Sequence, residues 1–113
     1  MSIMVTGGVG FIGNKIVCKL VERGEDVVCF DMIHPRGKLL DHLDYVKVYR
    51  GDITQMPHLM EAVNQHQVHK IIHMAALLPP DTEDRPHFGM HVNIQGANNV
   101  FEVARWTGVE RVV

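Results

Sequence analysis

The stretch Thr6-Gly7-Gly8-Val9-Gly10-Phe11-Ile12-Gly13 constrains this chain more than any other feature, and it lies between the apolar run Ile3-Met4-Val5 and the residues Asn14-Lys15-Ile16-Val17. It reads as a strand, a glycine turn and the start of a helix. Two phosphate-loop spacings are satisfied at once: Gly8, Gly10 and Gly13 read as G-x-G-x-x-G, and Gly7, Gly10 and Gly13 as G-x-x-G-x-x-G. The physical reason for such spacing is close approach. A tight turn off a strand needs a positive φ, a pyrophosphate must reach backbone N–H groups with no Cβ in the way, and the last glycine lets the helix sit close on the sheet. The free N–H groups of the helix's first turn, with its dipole, then face the phosphates. A turn that merely packs is the competing reading, and the strand before and helix after it argue against that.

The first helix is expected from about Phe11 to Arg23, with Ile12, Ile16 and Leu20 at helical spacing and Gly24 at its end. Val27-Val28-Cys29-Phe30 follows without alternation, as a strand covered on both faces of a parallel sheet should be. Asp31 closes that strand eighteen residues after Gly13, within the window where an acidic residue meets an adenosine ribose. A carboxylate there accepts hydrogen bonds from both ribose hydroxyls and repels a 2′-phosphate, which favours NAD over NADP. His34, Arg36 and Lys38 lie just beyond it, where they could neutralise a phosphate. Asn14 in place of a basic residue after the glycine turn keeps the balance with NAD. The competing role for Asp31 is a strand-end carboxylate satisfied by nearby backbone.

The segment 33–44 reads as a connection with a short helix at most, and Tyr45–Tyr49 as a third strand near a sheet edge. Gly51-Asp52-Ile53 stands at its carboxyl end, where open α/β sheets hold their ligands, so Asp52 is placed to meet an adenine amino group and Ile53 to cover the ring. Asp52 or Thr54 capping the next helix is an alternative of equal standing on local grounds. That helix is expected at 57–66 and a fourth strand at 68–74, running into the small residues Ala75 and Ala76. Pro79, Pro80 and the acids Asp81, Glu83 and Asp84 mark a loop of the kind that covers a substrate. The longest helix, 87–106, carries two apolar stripes and therefore needs two partners: the sheet, and either further chain or a second protomer. A fifth strand begins at Val109 and is cut short.

With 113 residues, 46% hydrophobic and 21% charged, the chain is one domain with a real core. A net charge of -2 with no run of Lys and Arg gives no electrostatic case for nucleic acid or an anionic membrane. No apolar segment is long enough to span a bilayer, no signal peptide opens the chain, and Cys18 and Cys29 read as buried free thiols, so the expected compartment is cytoplasmic. Two histidine pairs, His87 with His91 and His66 with His69, have spacings that could present two imidazoles together. Nothing completes a ligand set, and no metal is expected.

With these residues in view, the whole chain resembles the NAD-dependent epimerase/dehydratase family, the extended branch of the short-chain dehydrogenases and reductases. The resemblance is carried in order by the glycine turn, Asp31, Gly51-Asp52-Ile53, His73-Met74-Ala75-Ala76 and Val92-Asn93-Ile94-Gln95-Gly96. It implies a doubly wound, three-layer Rossmann-type α/β domain with about four to five parallel strands. It also implies that Gly7, Gly10 and Gly13 with Phe11 and Ile12 hold the pyrophosphate, Asp31 the ribose, and Asp52 with Ile53 the adenine, while Ala75 and Ala76 pass near the nicotinamide. Asn93 would support the reaction centre or simply tie its helix to a neighbouring strand. His73, on a buried strand, reads as a satisfied core histidine.

In that family a strand ending in Ser or Thr and then Tyr-x-x-x-Lys follow, the tyrosine transferring a proton as hydride moves to or from NAD. The tyrosines here are Tyr45 and Tyr49, and neither has a lysine four residues on. Residues 1–113 therefore read as the amino-terminal, cofactor-binding portion of an epimerase, dehydratase or dehydrogenase, acting on a nucleotide sugar or similar hydroxy or keto substrate, with the catalytic and substrate region absent. The alternative is a non-catalytic dinucleotide-binding module or a subunit completed by a partner chain.

Overall fold

The computed structural model describes all of residues 1–113. Five parallel strands form one sheet in the order β3-β2-β1-β4-β5, from β1 (Ser2–Thr6), β2 (Val27–Asp31), β3 (Val46–Arg50), β4 (Val68–His73) and β5 (Arg111–Val112). The helices are α1 (Phe11–Glu22), α2 (Met56–Gln65), α3 (Asp81–Asp84), α4 (Pro86–Met90) and α5 (Gly96–Trp106). The chain winds outward from β1 to β2 and β3, then returns to place β4 on the other side of β1. That reversal opens a crevice beyond the carboxyl ends of β1 and β4, where sheets of this kind bind ligands.

The alternation of side chains along each strand divides the core in two. Met4, Val28, Phe30 and Ile71 pack with Leu59, Val63, Val100 and Val103 beneath α2 and α5. Val5, Val27, Cys29 and Val46 pack with Val17 of α1 and with Leu39 on the opposite side. Both faces are covered, which is why β1 and β2 carry uninterrupted apolar runs at Ile3–Val5 and Val27–Phe30. The fold is the doubly wound, Rossmann-type sheet that the sequence predicts.

Four local features differ from the expected elements. The connection after β2 holds a 3₁₀ helix over Gly37–Tyr45, anchored by the fully buried Leu39. The acidic loop forms the single turn α3, with its acids in the first turn where the helix dipole favours them. The long helix is continuous over 86–106 but opens into a π-helical segment at His91–Gln95, where the Gly96 N–H reaches back to the His91 carbonyl. β5 is two residues long, and Val113 continues beside it by accepting from His73 N–H and donating to Ile71 O. No helix is long and apolar enough to cross a membrane.

Candidate functional site: the cavity over the glycine turn

The glycine turn holds its shape through backbone contacts that no other residue allows. Gly7 has φ +67°, and a Cβ there would lie 2.8 Å from the Ala75 backbone. A Cβ on Gly13 would lie 2.0 Å from the Gly7 carbonyl oxygen, so α1 starts as close to the turn as atoms permit. The turn closes with Gly10 N–H donating to Gly7 O at 3.0 Å, and the first helical bond, Asn14 N–H to Gly10 O, follows at 2.9 Å. The N–H groups of Phe11 and Ile12 precede the first donor of the helical ladder, Asn14, and have no acceptor within the protein, while the two side chains stand 81% and 55% exposed. The 12-residue helix α1 thus turns open amides toward the space over the turn, where an anion would be held.

Beside the turn lies a cavity of about 290 Å³. Gly7, Gly10, Asp31, Asp52, Ile53, Ala75 and Ala76 all line it, so seven of the expected site residues come together. Phe11, Ile12, Gly13 and Asn93 stand outside it. Phe11 instead borders a second cleft of about 480 Å³ with Gly10, Asn14, Lys15, Arg36 and Lys38. The two spaces meet at Gly10.

Asp31 aims its carboxylate between two backbone donors, Val9 N–H at 3.0 Å on one oxygen and Ile33 N–H at 3.3 Å on the other. The strand-end role considered for this residue is therefore present, and it fixes the carboxylate on the cavity rim with further lone pairs free. Asp52 is also locally engaged: Oδ1 accepts from both the N–H and the hydroxyl of Thr54 at 2.8 Å, and its own N–H donates to His58 Nδ1 at 3.1 Å. Its second oxygen makes no such bond. Asn93 spans the gap to the chain after β4, donating to Leu77 O at 2.9 Å and accepting from Leu77 N–H at 2.8 Å. That two-point link ties the helix to the loop leaving β4 and not to a strand itself, and it is made from within the π-helical segment, where such segments often serve a site.

The other side of the cavity depends on Thr6. Its fully buried hydroxyl oxygen accepts from Met74 N–H at 3.1 Å and Ala75 N–H at 3.3 Å, which leaves its proton for His73 Nδ1 at 2.7 Å. His73 therefore keeps its own proton on Nε2, and burial holds its pKa below the ordinary histidine value. It is a half-buried histidine held at Nδ1 by Thr6, less enclosed than the core histidine its strand position predicts. On the far side of the sheet Cys29 is pushed up to about 12, first by burial and then by the charge of Asp31 and by Cys18. Both thiols are buried and unbridged.

Several lining residues escape sequence reasoning: Met32, Ile33, Met74, Leu77, Phe88 and Val92. Phe88 and Val92 belong to one of the apolar stripes of the long helix, and periodicity alone cannot say that this stripe leaves the core to wall a cavity. Thr6 is legible only as the end of β1. No three His, Cys, Asp or Glu side chains gather in a metal-binding group.

Comparison with known proteins places this geometry. The family model described as the 3-beta hydroxysteroid dehydrogenase/isomerase family matches residues 4–113. A UDP-glucose 4-epimerase from Lacticaseibacillus casei is 31% identical over 100% of this chain and 34% of its own length. A 3-beta-hydroxysteroid dehydrogenase from Mycolicibacterium neoaurum is 33% identical over 98% of this chain and 30% of its own. The crystal structure of the Thermus thermophilus UDP-glucose 4-epimerase in complex with NAD superposes with a TM-score of 0.88 at 31% identity, over 99% of this chain and 36% of that one. The chain thus spans about a third of the length of these relatives and matches their amino-terminal part. It belongs to the 3-beta hydroxysteroid dehydrogenase/isomerase family, within the NAD-dependent epimerase/dehydratase branch of the short-chain dehydrogenases and reductases.

Proposed function

We propose that residues 1–113 are the NAD-binding portion of an epimerase, dehydratase or dehydrogenase whose substrate is a nucleotide sugar or a similar hydroxy or keto compound. One observation carries this most: a pinned carboxylate, Asp31, and the open amides of Phe11 and Ile12 flank the same glycine turn, beside a cavity with an apolar lining. The adenosine ribose is assigned to Asp31, the adenine to the cavity wall at Ile33 and Ile53 with the free oxygen of Asp52, and the pyrophosphate to Gly7, Gly10, Phe11, Ile12 and Gly13. Ala75 and Ala76 continue toward the nicotinamide half, and Asn93 supports them by holding Leu77. NAD is favoured over NADP because the rim residue is a carboxylate. NAD bound in this way supplies a hydride acceptor; the residues named here bind and orient it.

The proton donor is assigned to residues outside 1–113, since no Tyr-x-x-x-Lys occurs within them. Met90, Ile94 and Phe101 leave an apolar flank on the long helix that is 60%, 62% and 57% exposed, and we assign its cover to further chain or to a second protomer. The unbridged Cys18 and Cys29 agree with a reducing cytoplasm. Calorimetric titration of the chain with NAD and with NADP tests the reading. Saturable NAD binding that weakens in Asp31→Ala is expected, and heat-free titration with both dinucleotides would overturn it.

A further inference from the structure

Arg50 closes β3 as the register partner of Asp31 at the end of β2, which sets a guanidinium on the strand next to the cavity's key carboxylate. Neighbouring strands lie about 4.8 Å apart, well within an arginine's reach. The two nevertheless make no ion pair. Arg50 Nη1 donates to His34 Nε2 at 2.8 Å, and Nη2 donates to Met32 O at 2.9 Å. A guanidinium can only donate, so His34 Nε2 serves as the acceptor of this bond. Asp31, meanwhile, takes protein hydrogen bonds only from the backbone of Val9 and Ile33.

We propose that His34, together with the Met32 carbonyl, holds Arg50 away from Asp31 and thereby sets the preference for a free ribose over a 2′-phosphorylated one. The inference rests on the dinucleotide reading above and adds a selectivity device to it. An unneutralised carboxylate accepts from a ribose diol and repels a phosphate. Paired with Arg50 it would lose much of that repulsion, and the guanidinium N–H groups left over would be offered to the phosphate. The loop between β2 and the 3₁₀ helix thus acts through Arg50, a positioning residue, without itself touching the ribose.

The test is the ratio of NADP to NAD dissociation constants in single and double variants. His34→Leu removes the acceptor at an exposed position, so the fold is spared and the ratio should fall by about three- to tenfold, the scale of one partly exposed charge pair. His34→Gln, whose amide oxygen can still accept, should keep the wild-type ratio. Arg50→Met in the His34→Leu background should restore the ratio or raise it. A wild-type chain that binds NAD while His34→Leu leaves the ratio unchanged overturns this inference alone, as does an equal fall in Arg50→Met by itself. Failure of the wild-type chain to bind either dinucleotide overturns the underlying reading, and this one with it.

Discussion

Two spaces meet at Gly10, and they are unlike in every other respect. The cavity on the sheet side is walled by Phe30, Ile33, Ile53, Leu77, Phe88 and Val92, with Asp31 and Asp52 on its rim and no cation. The cleft on the helix side has Lys15, Arg36 and Lys38 around Asn14, with no acid. Asn14 donates to the Arg36 carbonyl at 3.2 Å and so holds the basic loop against α1. The same backbone turn serves both, which means the glycines decide where a ligand lies and the flanking side chains decide which part of it lies on each side. A flat, uncharged ring suits the first space; an anion suits the second.

The turn common to both is where the largest effect is expected. Gly13→Ala drives a Cβ into the Gly7 carbonyl, 2.0 Å away, and backbone on both sides leaves nothing flexible to yield. A loss of about 3 kcal/mol in urea unfolding is expected, with ligand binding lost alongside. Wild-type stability in this variant would show that the turn is looser than described and that the two spaces are not rigidly joined.

Asp31→Ala tests the sheet side. Losing a charged acceptor should weaken NAD by about tenfold or more and narrow the difference from NADP, as read by calorimetry. Unchanged affinity for both dinucleotides would remove the ribose from this rim. The helix side responds differently. Arg36→Ala with Lys38→Ala should weaken NAD by about two- to fivefold near physiological salt and flatten its salt dependence, while adenosine, which carries no phosphate, binds as before. Equal losses for adenosine and NAD would mean that the two spaces do not divide the ligand as argued.

The smallest expected effect comes from His73, which closes β4 and is held by the Thr6 hydroxyl. Its folded pKa is depressed by burial, so the unfolded chain takes up a proton there first. The neutral form's contribution is complete above the unfolded value of about 6.5 and is lost as pH falls through the folded value. His66 is shifted in the same direction by burial and by Lys47. Melting temperature should therefore be lower at pH 5 than at pH 7.5, and His73→Gln should shrink that difference. An undiminished difference would place the acid sensitivity elsewhere.

What could be read from the chain beforehand is the part governed by local rules. Glycine spacing after an apolar run locates the turn, the unbroken apolar run at 27–30 announces a strand covered on both faces, and Ile71-Ile72 marks the buried centre of the strand at 68–74. Asp31, Asp52, Ile53, Ala75 and Ala76 could be assigned to one site because each stands at the carboxyl end of a strand, and parallel strands share that end. The remainder depends on contacts remote in sequence. That Thr6 would hold Met74, Ala75 and His73 is a matter of β1 lying beside β4, across more than sixty residues. The π-helical opening at His91–Gln95 has no composition signal, because its register is decided by Asn93 meeting Leu77 and by Gly96 lying against Ile53. Arg50 reads as one more polar residue at a strand end until β2 and β3 are paired.

If one ligand occupies both spaces across the glycine turn, amide chemical-shift mapping of the labelled chain during NAD addition reads it directly. Saturable shifts confined to residues 7–14, 31–38, 51–53 and 74–77 are expected. Shifts gathered on α5 and β5, or none at millimolar NAD, would contradict it.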